Sequence, residues 1–97
     1  MPRPPRLSPD EVAAALRGLP LWSGDPAGLH RTVQLASFRA AVAAVVAIAD
    51  VAEELDHHPD VDLRFRTLHL TLVSHSEQGV SALDVELARR IDGLLPG

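Results

Sequence analysis

Apolar residues recur along this chain with two periods, and the switches between them mark its elements. Val12 and Leu16 stand four apart behind Ser8-Pro9-Asp10-Glu11. A short helix is expected there, with Ser8 as cap, Pro9 at the first position, Glu11 completing a capping box and Gly18 at the end. Leu19 to Ser23, around Trp22, is a short strand candidate, and Gly24-Asp25-Pro26-Ala27-Gly28 is turn chemistry. From Leu29 to Ala36 the period becomes two, with Leu29, Val33 and Leu35 opposite His30, Thr32 and Gln34. Arg31 falls on the apolar face, so it needs an edge or a partner.

Ser37 can cap the next element, Phe38 to about Asp56, whose apolar residues Val42, Val45, Val46, Ile48 and Val51 spread around the barrel. Such a helix needs cover on more than one side. In a 97-residue chain one sheet covers one side, which points to a second subunit. After Pro59, Val61, Leu63 and Phe65 alternate with Asp62, Arg64 and Arg66, and Leu68, Leu70 and Leu72 alternate with His69 and Thr71. No Gly, Asn or Pro separates these runs, so two tightly joined strands and one bent strand both fit. Ser76 to Gly79 is a loop. Ser81-Ala82-Leu83-Asp84 opens a last helix as a second capping box, with Leu83, Leu87, Ile91 and Leu94 as its buried stripe. The expected fold is α+β, a two-layer sandwich of a four-stranded antiparallel sheet and three helices in the order α-β-β-α-β-β-α. Residues 1–7, rich in Pro and Arg, should be a mobile arm on a single domain, 8–97.

A net charge of −4 gives no general attraction to nucleic acid or an anionic membrane. With no cysteine, disulfides, thiolate catalysis and cysteine-based metal sites are excluded. The longest unbroken apolar run, Ala40 to Ala49, is too short to span a bilayer, and Met1 to Arg6 lacks the apolar stretch of a signal peptide. A reducing cytoplasm is the expected setting.

The chemistry concentrates in Glu53-Glu54-Leu55-Asp56-His57-His58-Pro59-Asp60. Glu53 and His57 are four apart, the spacing at which helical side chains meet. Asp56, Asp60 and the carbonyl end of the helix dipole add an acidic field that favours a protonated imidazole. Pro59 forces His58 into extended backbone, so the two rings need not point the same way. His75, behind Ser74, ends the later strand and can meet them in space. An acid and a base on opposite sides of a small pocket serve a proton-coupled elimination. Blander readings stand beside these: His-His-Pro as an exposed cap, Asp84 as an N-cap partner, His30 and His69 as surface residues, Trp22 as core. In a rival metal site His57, His58 and His75 supply nitrogens and Glu53 or Asp84 an oxygen. Adjacent histidines seldom bind one ion together, however, and no H-x-H or H-x-x-x-H spacing occurs.

Ala-Glu-Glu-Leu-Asp-His-His-Pro, then Ser74-His75, Gly79-Val80-Ser81-x-x-Asp84 and Leu87-Ala88, resembles the pterin-4a-carbinolamine dehydratases over nearly the whole chain. The resemblance implies dehydration of a 4a-hydroxytetrahydropterin to the quinonoid dihydropterin, in the recycling of tetrahydrobiopterin, with no metal and no cofactor. It places three active-site histidines on His57, His58 and His75 and supporting acids on Glu53, Asp56 and Asp84, with Ser74 beside them. A pterin substrate and a homodimer or homotetramer are implied, without nucleic-acid or membrane partners. Val61, Phe65, Val33 and Leu35 stand where the family pattern has other aromatic rings, and Gln78-Gly79 replaces paired glycines. The alternatives are a non-catalytic oligomerisation or regulatory module, and an acid–base enzyme acting on another heterocycle.

Overall fold

The structure is a computed structural model and describes residues 3–97. Among these residues the order is α1 (Pro9–Arg17), β1 (Ser23–Asp25), β2 (Gly28–Gln34), α2 (Phe38–Leu55), β3 (Asp60–Arg64), β4 (Thr67–Leu72), one 3₁₀ turn (His75–Glu77) and α3 (Ala82–Asp92). The strands form one antiparallel sheet in the order β1-β2-β4-β3. This is the expected α-β-β-α-β-β-α sandwich.

Both capping boxes form. Ser8 and Glu11 exchange hydrogen bonds at the start of α1, and Ser81 and Asp84 do so at the start of α3. In the register His30 opposes Thr71, Thr32 opposes His69 and Arg31 opposes Leu70. Leu29, Leu68, Leu70 and Leu72 therefore face the helices, where they pack with Val12, Ile48, Leu87 and Ile91 in one buried cluster. The other face is polar: His30 and His69 are exposed and each meets a cross-strand threonine, Thr71 and Thr32. Arg31 lies on the buried face and finds its partner in Asp92, 2.6 Å away.

Two expectations change, one open alternative is resolved, and the N-terminal segment takes a defined course. Leu19 to Trp22 is a turn, closed by the Trp22 N–H on the Leu19 carbonyl at 3.0 Å, so the strand begins only at Ser23. The Trp22 indole N–H instead donates to Asp92 at 2.8 Å. β3 and β4 are separate strands, turned at Phe65 with φ of 52°, and Arg66 lies over its ring at 5.8 Å from the centroid. After α3 ends at Asp92 the helical phase is lost, so Leu95 is buried while Leu94 is exposed. Finally, residues 6 and 7 of the expected N-terminal arm pair with the body. Leu7 N–H donates to the Val80 carbonyl at 2.8 Å and Arg6 bridges to Ser81. Met1 and Pro2 lie outside the described residues.

Candidate active site

The site is built by the way α2 stops. Asp56 adopts the left-handed conformation (φ 49°, ψ 44°), and the His57 N–H reaches back to the Ala52 carbonyl at 3.0 Å. This is the closure that ends many helices, at a residue type that tolerates the left-handed region. The helical spacing behind the expected Glu53–His57 pair therefore fails, because His57 is no longer on the helix. Glu53 hydrogen-bonds Nε2 of His58 instead. His57 turns inward to 7% exposure, while His58 stays at the surface. The two rings do part, as Pro59 implied.

His57 Nε2 meets Asp84 Oδ1 at 2.6 Å. Asp84 sits in the first turn of α3 and is fully buried. Its Oδ2 accepts the Ser81 N–H at 2.9 Å and the Ser74 hydroxyl at 2.8 Å. The Ser74 oxygen is in turn 2.6 Å from Ser81 Oγ, which accepts the Leu83 N–H. Among the described residues no buried side-chain nitrogen or oxygen lacks a partner. Three donors and the positive end of α3 together offset the cost of burying the carboxylate. An ionised carboxylate only accepts, so the proton in its bond to His57 belongs on Nε2. Nδ1 is then the ring nitrogen left for a bound molecule.

In front of this network lies a cleft of about 220 Å³, lined by His57, His58 and His75 with Asp56, Val73, Ser74, Ser76 and Arg3. His75 opens the 3₁₀ turn, exposed, with Nε2 3.7 Å from Asp60 Oδ2. The adjacent His57 and His58 and the distant His75 thus border one concavity. Asp84 stands behind His57 and Glu53 beside His58, while His30 and His69 belong to the sheet's far face. Among the described residues, no three His, Asp or Glu side chains are grouped to hold a metal ion. Val61 and Phe65 do not line the cleft. Val61 borders a separate apolar hollow of about 180 Å³, with Ile48, Ala52, Pro59 and one side of His58. Sequence reasoning missed Arg3 and the second role of Ser81. Ser81 carried a signal, since any cap to Asp84 also touches what Asp84 holds; Arg3 carried none beyond its charge.

A sequence profile described as pterin 4 alpha carbinolamine dehydratase matches residues 5–94. A relative from Nocardia farcinica, provisionally named pterin-4-alpha-carbinolamine dehydratase, is 47% identical over 91% of this chain and 93% of its own. One from Streptomyces coelicolor with the same provisional name is 49% identical, covering 100% and 96%. A crystal structure from Brucella melitensis, titled transcriptional coactivator/pterin dehydratase, superposes with a TM-score of 0.89 at 32% identity, over 94% of this chain and 99% of that one. A pterin dehydratase-like protein described as a RuBisCO assembly factor of the alpha-carboxysome shares the fold at TM-score 0.62 and 23% identity, over 75% and 84%.

Proposed function

The chain belongs to the pterin 4 alpha carbinolamine dehydratase family, and from that premise we propose that it dehydrates a 4a-hydroxytetrahydropterin by histidine acid–base catalysis. In this reaction the C4a–OH bond breaks, the hydroxyl leaves as water after gaining a proton, and N5 loses its proton as the C4a=N5 double bond forms. One group must give a proton and another must take one. The observation that supports this most is the convergence of His57, His58 and His75 on one cleft, with a buried carboxylate behind the first.

His57 has the arrangement of an oriented base: Asp84 fixes the ring through Nε2 and stabilises the imidazolium that forms when Nδ1 takes the N5 proton. The Glu53 contact that favoured His57 as the acid is absent, and the acid is assigned to the exposed pair, His58 beside Glu53 and His75 near Asp60. Glu53, Asp56 and Ser74 support these rings and the cleft wall. Each proton transfer is worth roughly 10²–10⁴-fold. The product would re-enter a tetrahydropterin cofactor pool after reduction. The test is stopped-flow dehydration of freshly generated 4a-carbinolamine. The protein should outpace buffer, and His57→Ala and His75→Ala should remove the gain; equal rates with and without protein would refute the assignment.

We further propose self-association, as a homodimer or homotetramer. Phe38, Val42 and Val46 recur every four residues on one side of α2 and are all exposed, as is Val61 on β3. Covering that stripe removes apolar area from water at about 25 cal/mol per Å². Val46→Asp should shift the protein to a smaller species in sedimentation; an unchanged monomer in both would remove the proposal. The same stripe favours the second reading, a non-catalytic oligomerisation or regulatory module, in keeping with the coactivator name carried by the Brucella melitensis protein. That reading expects partner binding to survive in His57→Ala with no dehydration in the wild type.

A further inference from the structure

The N-terminal strap brings to the cleft a side chain that the acid–base scheme does not use. Its course is fitted to the body. Leu7 and Arg6 are joined to Val80 and Ser81, and a Cβ on Gly79 would lie 2.5 Å from Arg6 Cδ and 2.8 Å from the Pro26 carbonyl oxygen. Gly79 thus leaves room for the strap to pass directly over the loop. Upstream, Arg3 reaches the cleft wall and donates from Nη2 to the Asp56 carbonyl at 3.0 Å, with Asp56 Oδ2 at 3.7 Å. Its side chain is 42% exposed, and it is the one Lys or Arg among the residues that line the cleft.

Resting on the dehydratase reading, we propose that Arg3 is a specificity-determining residue that donates a hydrogen bond to the ring carbonyl oxygen of the bound pterin. A guanidinium has five donors and no acceptor, and the bond to Asp56 leaves most of them free. A pterin's pyrimidine edge carries one carbonyl oxygen, and its other polar groups there include an amino group and a ring N–H, both donors. Of these three groups Arg3 can serve only the carbonyl, whereas the carboxylate of Asp56, on the same cleft wall, suits the two donors. The contact with Asp56 holds the guanidinium in place before the ligand arrives, which reduces the ordering cost of binding. The contact is not to the reacting atoms, so it acts equally on ground and transition states.

The test compares wild type, Arg3→Ala and Arg3→Lys in dehydration kinetics. It also measures binding of two stable reduced pterins without the 4a-hydroxyl, one with the ring oxygen and one with an amino group in its place. Arg3→Ala should raise KM about tenfold with kcat within about twofold, the signature of lost uniform binding. Arg3→Lys should restore part of the loss. Wild type should prefer the oxo ring by about tenfold, and Arg3→Ala should show no preference. If Arg3 only caps α2, both ligands would weaken alike and the melting temperature would fall, which overturns the proposal. An unchanged KM with the preference intact also overturns it while leaving the dehydratase reading standing. Failure of the wild type both to bind and to dehydrate would remove the two together.

Discussion

Helix α3 carries an aspartate with a cationic or imidazole partner at each end, and the two ends are put to different use. At its C-terminal end Asp92 pairs with Arg31 at 2.6 Å and also accepts the Trp22 indole N–H. An aspartate there opposes the helix dipole, and the buried guanidinium of Arg31, always charged, offsets that cost. Arg31 also donates to the Pro96 carbonyl, so the pair ties the chain end to β2. At the N-terminal end Asp84 needs no such counter-ion, because the Ser81 N–H, the Ser74 hydroxyl and the positive end of the helix already favour it. Its partner can therefore be a neutral imidazole that donates from Nε2. The imidazole of that pair lines the cleft of about 220 Å³. The first pair fastens the chain end to the sheet; on the dehydratase reading, the second orients the imidazole that takes the N5 proton.

Substitutions that separate these two uses differ widely in expected size. His57→Ala should cost roughly 10²–10⁴-fold in dehydration rate with the fold retained, by stopped-flow and circular dichroism. Asp92→Ala should do the opposite. It strands Arg31 in the core and should cost on the order of 3 kcal/mol in urea unfolding, with turnover per folded molecule unchanged. Arg31→Met combined with Asp92→Leu should recover most of that loss, because no charge is then left buried. Ser74→Ala blurs the contrast: it removes a donor from Asp84 and a partner from Ser81, so about 1–3 kcal/mol of stability and part of the activity should go together.

The smallest effect belongs to Glu11. Hydrogen bonds from the Ser8 backbone and side chain hold its carboxyl below the usual range. Its contribution is complete above the unfolded-state value and is lost as pH falls through the lowered one. Glu11→Gln should therefore narrow the gap in stability between neutral and acidic solution slightly, read by thermal melts across that range, and leave activity untouched.

What the sequence made legible was what depends on near neighbours. Ser8 with Glu11 and Ser81 with Asp84 announce their capping boxes within four residues, and the alternation of Leu68, Leu70 and Leu72 sets their face of the sheet. The need of Arg31 for a partner was also legible, though not that Asp92, 61 residues away, would supply it. The pairing of His57 was misread because the 3.6-residue period holds only while the helix lasts, and Asp56 ends it one residue early. Phe65 hid a turn because an aromatic at positive φ gives no turn signal. The meeting of His75 with His57 and His58 depends on the β3–β4 register and on where the 3₁₀ turn begins. Local pattern carries neither; the strand ending at His75 made the meeting an expectation, and the family resemblance implied it for the same three residues.

The most direct test of the paired Asp84–His57 base is Asp84→Asn, which keeps side-chain size but removes the carboxylate that fixes the imidazole proton on Nε2. Wild type should accelerate 4a-carbinolamine dehydration well beyond buffer. A folded Asp84→Asn protein should lose at least about 100-fold of that rate. A folded variant that dehydrates as fast as wild type would contradict the account.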